Sequence, residues 1–357
     1  MPDLIVAGAG MAGLVAAAQA RELGADVVIH EKLDRTGGSM RLSSGVVWRH
    51  RELARLRADC PRGDEKLQRL VFESLDADLE WLEALGAPIV ARDTDNELTS
   101  GLRFDPAGLT AALEAAAGEI RLQDPVTELP RGTPVVLATG GFPASRELLA
   151  EHVTPYADEV ALRAAPGNAG DGLRLGAAAG GGLAPGLEEI YGRNMPAPPA
   201  RFGPADYVRL AQLYARHAEV TNAEGERYEA TTWSEADVVQ WTARQPGARA
   251  WLRVPAAALG ERVRDRTVGE MVDAAQAAGG PVQREADEVT VETVAGVTST
   301  LGGLAIDTRA RVAPGVYAAG DDAGDIATGG YASGLAAALV LGRVSARSAL
   351  EEAGGGR

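Results

Sequence analysis

A glycine-rich turn between two strands constrains the start of the chain most strongly. Leu4–Ala7 is a short apolar run, and the residues after it, Gly8-Ala9-Gly10-Met11-Ala12-Gly13, fit the pattern GxGxxG ahead of a predicted helix. Glu31 ends the next predicted strand, 18 positions after Gly13. Such glycines permit a tight turn and the close approach of a pyrophosphate, and the acidic side chain can accept hydrogen bonds from ribose hydroxyls. The unit predicts a dinucleotide-binding fold and leaves NAD and FAD open.

Length and composition narrow the class of protein. With 357 residues, 46% of them hydrophobic, the chain can bury more core than one compact domain usually needs, so we expect two domains. The formal charge of −15 disfavours nucleic acid and anionic membrane as partners. The single cysteine, Cys60, excludes a disulfide or a cysteine-based metal cluster within one chain, and the histidines lack metal-ligand spacing. No metal site is predicted.

Hydropathy and periodicity give further expectations. No apolar run approaches the ~20 residues of a membrane span, and the first apolar run is too short for a signal peptide, so we expect a soluble, cytoplasmic protein. The residue pattern predicts helices over 65–85, 106–118, 207–218 and 333–350.

Several later motifs resemble one enzyme family when they are taken in order. They are Thr36-Gly37-Gly38-Ser39, Leu42-Ser43-Ser44-Gly45, Ala138-Thr139-Gly140-Gly141-Phe142, Gly167-Asn168-Ala169-Gly170-Asp171-Gly172 and Gly320-Asp321. Over most of its length the chain resembles the fumarate reductase/succinate dehydrogenase flavoprotein superfamily, whose relatives include 3-ketosteroid dehydrogenases. The resemblance implies an α/β fold: a Rossmann-like (glutathione reductase-type) FAD domain with an inserted α+β capping domain. A Pro/Gly-rich stretch at 185–204 and a change of pattern near Ser299 place the FAD domain at 1–188 and 298–357 and the cap at 189–297.

The resemblance also assigns residues to the cofactor. Asp321 takes the place of the acid that binds the ribityl chain, and the backbone of Ser333, Gly334 and Leu335 opens a helix that would face the flavin pyrimidine carbonyls. FAD is expected to be non-covalent, because residues 36–45 contain no histidine for a covalent link. The complete set of predicted cofactor-binding residues is Gly8, Ala9, Gly10, Met11, Ala12, Gly13, Glu31, Lys32, Gly37, Gly38, Ser39, Ser43, Ser44, Gly45, Val126, Thr139, Gly140, Asp171, Gly320, Asp321, Ser333, Gly334 and Leu335.

The residues of fumarate chemistry in this family are missing. Trp233 stands where the proton-donating arginine would be, and the segment Ser299-Thr300-Leu301 lacks the family's histidine. We therefore reject fumarate reductase and succinate dehydrogenase as the specific function. Trp233, Ser299 and Thr300 are predicted to line a site for a small, neutral or weakly charged, aromatic or alicyclic substrate.

Three residues are candidates for catalysis. Tyr331 has a counterpart in the ketosteroid dehydrogenases that polarises a substrate carbonyl; packing on the flavin without a chemical role is the alternative. Tyr191 could act as acid or base and Arg193 could hold an oxygen anion, or both could be ordinary loop residues. The predicted reaction moves a hydride between flavin N5 and a carbon next to a carbonyl, with an unknown electron acceptor. An oxygen-using flavin oxidase or monooxygenase and a non-catalytic FAD-binding protein remain open, as does a partner that completes the short cap.

Overall fold

The computed structural model describes residues 1–229 and 235–355. The helices, in chain order, are Met11–Glu22 (α1), Leu53–Asp59 (α2), Glu65–Ala84 (α3), Pro106–Ala117 (α4), Arg146–His152 (α5), Asp171–Ala178 (α6), Glu235–Ala243 (α7), Val268–Ala277 (α8) and Gly334–Gly355 (α9). The strands are Leu4–Ala7 (β1), Val27–Glu31 (β2), Val46–His50 (β3), Ile89–Ala91 (β4), Thr99–Phe104 (β5), Glu119–Leu122 (β6), Val135–Leu137 (β7), Ala161–Leu162 (β8), Ile190–Pro196 (β9), Glu219–Thr221 (β10), Arg249–Pro255 (β11), Arg262–Val263 (β12), Arg266–Thr267 (β13), Val282–Arg284 (β14), Glu288–Thr300 (β15), Arg311–Ala313 (β16) and Val316–Ala318 (β17).

Two compact units make up the chain. The large unit consists of Met1–Ala144, Ala165–Leu187 and Thr300–Arg357, and the small unit consists of Ser145–Ala164 and Glu188–Ser299. The small unit is therefore inserted into the sequence of the large one at two places. Within the described residues, no helix combines the length and the apolar character that crossing a membrane requires.

A six-stranded sheet in the order β16-β17-β7-β1-β2-β6 forms the centre of the large unit. Strands β17, β7, β1, β2 and β6 run parallel, and β16 is antiparallel at the edge. The chain passes from β1 through α1 to β2 on one side, whereas β7 lies on the other side of β1. The direction of winding thus reverses beside β1, and ligands of such sheets bind at the carboxyl ends of the strands at this switch point.

Local sequence explains the helices of the large unit. Helix α3 begins where the Asp64 carboxylate accepts hydrogen bonds from the backbone N–H groups of Lys66 (2.8 Å) and Leu67 (2.9 Å). Its apolar residues recur at three- and four-residue steps, so that one face is buried. Helix α4 starts with Pro106 after the capping residue Asp105. The predicted helices over 65–85, 106–118 and 333–350 are confirmed within a few residues.

A three-stranded antiparallel sheet, β3-β5-β4, also belongs to the large unit. Successive side chains of β3 point to opposite faces. Arg49 packs its guanidinium over the ring of Phe72 in α3 at 4.5 Å. Trp48 and His50 therefore belong to the other face, where their ring centroids lie 5.3 Å apart.

The small unit is built on an antiparallel sheet in the order β10-β11-β15-β14, and β8 and β9 also pair with β15. Because β8 pairs with β15 and the Thr154 hydroxyl donates to the Ala243 carbonyl (2.5 Å), residues 145–164 group with this unit. The predicted boundaries placed them in the FAD domain. The expected helix over 207–218 is wrong: the segment holds one short 3-10 turn, Ala215–His217, and is otherwise turn or irregular chain.

Candidate functional site

The carboxyl edge of the large sheet gathers most of the predicted cofactor residues. The Gly8–Gly13 turn follows β1, Glu31 ends β2, Thr139 and Gly140 follow β7, and Gly320 and Asp321 follow β17. The loop that carries Val126 follows β6. The carboxyl ends of neighbouring parallel strands lie at the same edge of the sheet. The topology therefore brings segments that are distant in the sequence together at the switch point.

The three motif glycines have three different surroundings. A Cβ built on Gly8, where φ is +104°, would lie 2.3 Å from the Ala138 carbonyl oxygen, and one on Gly13 would lie 1.9 Å from the Gly8 carbonyl oxygen. At Gly10, a Cβ would meet no atom within 4 Å. Gly8 and Gly13 are thus required by packing, whereas Gly10 leaves open space beside the start of α1. No side chain caps this helix, and its first turn holds no acidic residue.

Glu31 is fixed by the backbone. Its Oε2 accepts a hydrogen bond from Ala9 N and its Oε1 accepts one from Leu33 N, both at 2.7 Å. Each oxygen keeps a lone pair for a ribose hydroxyl. The half-buried Val126 lies in the next loop, which Asp124 N ties to the Glu31 carbonyl at 2.9 Å.

Other predicted cofactor residues form contacts within the protein. Lys32 Nζ lies 2.8 Å from Asp171 Oδ2, and Asp171 also pairs with Arg174. Ser39 Oγ accepts hydrogen bonds from Ala165 N (3.0 Å) and Asn168 Nδ2 (3.1 Å). These side chains join the loops of the site to one another, and their direct contact with a cofactor stays a prediction.

The turns at 37–45 shape the cradle. Gly37 N donates to the Ala9 carbonyl at 2.7 Å, and a Cβ on Gly38 would lie 3.3 Å from the Gly10 Cα. Ser43 Oγ donates to the Met40 carbonyl and accepts from Gly45 N, which closes the turn. The remaining residue, Ser44, uses its carbonyl to accept from Arg103. The first two contacts bring the 37–38 turn against the GxGxxG turn.

Asp322 organises the turn after β7, and the sequence analysis missed it. Its buried carboxylate accepts hydrogen bonds from Thr139 N, Thr139 Oγ1 and Gly141 N. Gly140, at φ +91°, lies between these donors. The sequence held one signal that could have identified it. Asp321 and Asp322 are adjacent after a strand, and only one acid is needed to bind the ribityl chain.

The half-buried Asp321 has a different environment. No described residue donates a hydrogen bond to its carboxylate, and burial together with the charge of Asp322 raises its pKa to about 7. A Cβ on Gly334 would lie 3.8 Å from Asp321 Oδ1, so the acid stands at the start of α9. Ser333 Oγ accepts from Ala336 N (3.2 Å), which caps the helix just before Gly334 and Leu335.

Tyr331 belongs to the same end of α9. Its ring centroid lies 6.0 Å from that of Trp48, whose backbone N–H donates to Ser333 Oγ at 3.4 Å. His50 follows on the same strand face and bonds through Nε2 to Asp59 Oδ2 at 3.0 Å. Burial outweighs the Asp59 charge and lowers the pKa of His50, which favours the neutral imidazole.

The other predicted site residues lie in the small unit or at its boundary. Tyr191 and Arg193 are on β9, where the Arg193 guanidinium stacks 4.6 Å from the Tyr191 ring. Ser299 belongs to the small unit, and Thr300 begins the last segment of the large unit, where its Oγ1 accepts from Phe142 N at 3.4 Å. Trp233 lies outside the described residues.

These surroundings fit FAD. The amides of the uncapped α1 and the open space at Gly10 would receive the pyrophosphate, and the lone pairs of Glu31 would receive ribose hydroxyls. Asp321 lacks donors that ribityl hydroxyls would supply. The first amides of α9 would face the flavin ring.

The comparisons with known proteins agree with this fit. Residues 3–108 and 123–336 match the model of the FAD binding domain family. No curated protein matches the chain at a significant level.

Solved structures share the fold along almost the whole chain. The open conformation of a flavocytochrome c3 fumarate reductase is 20% identical, with a TM-score of 0.76, and the match covers 99% of this chain and 78% of that one. A 3-ketosteroid-Δ4-(5α)-dehydrogenase from Rhodococcus jostii RHA1 is 20% identical (TM-score 0.69, coverage 98% and 96%). A 3-ketosteroid Δ1-dehydrogenase from Sterolibacterium denitrificans is 17% identical (TM-score 0.69, coverage 98% and 99%).

The family match confirms FAD as the predicted cofactor, and the shared architecture confirms the predicted fold class and the resemblance to this superfamily. At 20% identity or less, the structural likeness concerns the fold. The roles of individual site residues and the non-covalent attachment stay predictions.

Proposed function

The chain belongs to the FAD binding domain family, and from this premise we propose that it is an FAD-dependent dehydrogenase or reductase acting on a carbon–carbon bond next to a carbonyl. The substrate is a small, neutral, cyclic molecule. FAD, when bound, supplies the hydride acceptor or donor.

The position of Tyr331 carries this proposal. The residue stands two positions before Ser333, which caps α9, and its ring packs beside Trp48. A phenol can donate a hydrogen bond to a carbonyl oxygen while staying neutral at pH 7. Negative charge that develops on that oxygen is stabilised by the donor, and the nearby N-terminus of α9 contributes in the same direction.

The aromatic pair also favours the substrate class. Trp48 and Tyr331 offer flat apolar surface, and the residue opposite Trp48 on β5 is Gly101, which adds no side chain there. Two of the similar structures hold 4-androstene-3,17-dione and 1,4-androstadiene-3,17-dione, which are neutral fused-ring ketones. This chemistry supports a cyclic ketone, and it leaves the size of the ring system to experiment.

Residues of the small unit are proposed to assist. Tyr191 and Arg193 are stacked. The phenol of Tyr191 would transfer a proton, and Arg193 would supply a positive charge beside it. Their role is tested by Arg193→Lys, which keeps the charge and removes the planar fork. We expect turnover to fall while FAD stays bound.

The deciding experiment is Tyr331→Phe. Purified wild type is titrated anaerobically with cyclic enones and their saturated ketones, and the flavin absorbance identifies the compound that reacts. We expect the variant to bind FAD normally and to turn over that compound about a hundredfold more slowly, a size typical of lost general acid catalysis.

Tyr317→Phe is the matched control. It removes a hydroxyl that lies within hydrogen-bonding distance of Glu352 Oε2 and of Ser348 O (3.3 Å), towards the other end of α9 from Tyr331. We expect a loss of about 1 kcal/mol in unfolding free energy and unchanged turnover. Equal turnover of Tyr331→Phe and wild type would reject the role of Tyr331. Fast reoxidation by oxygen would favour a flavin oxidase, and no reduction by any compound or small reductant would favour a non-catalytic protein.

A further inference from the structure

One buried carboxylate joins three segments of the cofactor site. Asp322 Oδ1 accepts hydrogen bonds from Thr139 Oγ1 and Gly141 N, both at 3.0 Å, and Oδ2 accepts from Thr139 N. The Thr139 hydroxyl in turn accepts from Gly172 N at 2.8 Å, in the first turn of α6. The 320–322 turn, the 139–141 turn and the start of α6 are therefore connected through Asp322.

Gly172 leaves the space that this carboxylate occupies, and Gly303 leaves the space beside the Asp322 backbone carbonyl. A Cβ on Gly172 would lie 2.2 Å from Asp322 Oδ2, and a Cβ on Gly303 would lie 2.7 Å from the Asp322 carbonyl oxygen. Only 1% of Asp322 is exposed, so water does not replace the three donors. The carboxylate holds one position, and a side chain at residue 172 would displace it.

We propose that Asp322 is a positioning residue for FAD: its ionised carboxylate fixes the Thr139–Gly141 turn in the shape that receives the cofactor, so FAD affinity depends on this ionisation. Thr139 and Gly140 are predicted cofactor residues, whereas Asp322 acts on the cofactor through them. The inference rests on FAD binding, which follows from family membership, and is independent of the proposed reaction.

The charges around Asp322 set the pH range of this effect. Burial raises its pKa to about 6, the hydrogen bonds from Thr139 and Gly141 oppose that rise, and Asp171 adds to it. Asp171 is itself paired with Lys32 and Arg174. The neighbouring acid Asp321, whose pKa burial and the Asp322 charge raise to about 7, titrates in the same range, so the Asp322 contribution is read from the difference between wild type and Asp322→Asn. Above pH 6 the carboxylate accepts all three hydrogen bonds. Below pH 6 the added proton removes acceptor capacity, so FAD affinity falls as the pH drops from 7 to 5.

Asp322→Asn tests the proposal directly. The amide keeps the shape but places an N–H group against N–H donors. We expect the FAD dissociation constant, measured by quenching of FAD fluorescence on binding to apoprotein, to rise at least about tenfold at pH 7.5. The control is Asp307→Asn, which changes an exposed loop aspartate that accepts from Arg309 N and Arg311 N. It should leave FAD affinity unchanged.

A second set of variants keeps the proposal testable if Asp322→Asn fails to fold. Gly172→Ala displaces the carboxylate without altering charge, and we expect a similar loss of affinity. Thr139→Val removes one donor and should weaken FAD binding severalfold, whereas Thr139→Ser keeps the hydroxyl and should restore it.

The pH profile separates positioning from general destabilisation. Wild-type affinity should weaken between pH 7 and 5, and that weakening should shrink in Asp322→Asn. Two results would overturn the proposal. One is an FAD dissociation constant of Asp322→Asn within twofold of wild type at pH 7.5, and the other is a pH profile of FAD affinity that none of the variants changes. Loss of turnover with intact FAD binding would concern the proposed reaction alone.

Discussion

The sheet edge of the large unit and the network around Asn194 in the small unit are built from different kinds of hydrogen bond. At the sheet edge of the large unit, many of the predicted cofactor contacts are backbone groups, held in place by glycines such as Gly8 and Gly13. In the small unit, side chains bond to side chains: Asn194 Nδ2 donates to Thr242 Oγ1 (3.0 Å) and to Thr293 Oγ1 (3.2 Å). A backbone site leaves a spacing of glycines in the sequence, whereas a side-chain network leaves isolated polar residues without a pattern.

This difference explains what each unit is suited to bind. The backbone cradle recognises phosphates and hydroxyls that every FAD carries, so it depends on turn geometry and a few acids. The small unit presents individual side chains, including the stacked Tyr191 and Arg193. Specificity for one substrate is a property of such side chains.

The largest effect is expected from the motif glycines. Gly13→Ala forces a Cβ to 1.9 Å from the Gly8 carbonyl oxygen, so we expect the apoprotein to lose about 3 kcal/mol of unfolding free energy in urea titrations. Gly10→Ala meets no protein atom and should leave apoprotein stability within about 0.5 kcal/mol. Its methyl group would instead occupy the space of the pyrophosphate and weaken FAD binding. Equal stabilities of the two variants would contradict this contrast.

A smaller effect is expected from the network of the small unit. Asn194→Ala removes two donors from a side chain that is 3% exposed and leaves a small cavity, which should cost about 2 kcal/mol of unfolding free energy. The exposed control Gln276→Ala should change stability by less than about 0.5 kcal/mol. FAD affinity should be unchanged in both, since the cofactor residues belong to the large unit. A large loss of FAD affinity in Asn194→Ala would contradict the assignment of FAD binding to the large unit alone.

The third prediction concerns how the stability of the apoprotein depends on pH. The pKa of Asp321 is raised to about 7 and that of Asp322 to about 6. An unfolded aspartate titrates near 3.9. Between pH 4 and pH 7 the folded state therefore binds more protons than the unfolded state, so apoprotein stability should fall as pH rises through this range. FAD binding should show the opposite trend. Urea midpoints at pH 5.5 and 7.5 check the sign, and Asp321→Asn should flatten the slope.

The sequence predicted the local elements of the large unit better than those of the small unit. Strand β1 and the starts of α1 and α3 follow from apolar spacing, glycines and an aspartate cap, which are local signals. The 207–218 segment shows the limit. Its residues have helical spacing, yet Gln212 N donates to the Asn194 carbonyl (2.9 Å), so a partner distant in sequence replaces the helical bond.

Two assignments depended on contacts between distant segments. Residues 145–164 join the small unit through pairing of β8 with β15, more than a hundred positions later. The role of Asp322 follows from the pairing of β7 with β17, because this pairing brings Asp322 to its hydrogen-bond donors near residue 140. Neither contact leaves a periodic signal in the chain.

The sequence by itself determined that this chain binds a dinucleotide on a parallel sheet, and its ordered motifs pointed to FAD. The reason is physical. A turn that approaches a pyrophosphate needs glycine at fixed positions, and these positions lie within a few consecutive residues of the sequence. Tertiary structure alone decided that Asp322 accepts hydrogen bonds from the neighbouring turn, whereas Asp321 receives none from the described residues. It also placed Trp48 beside Tyr331. Such environments arise from packing between strands and helices far apart in the chain.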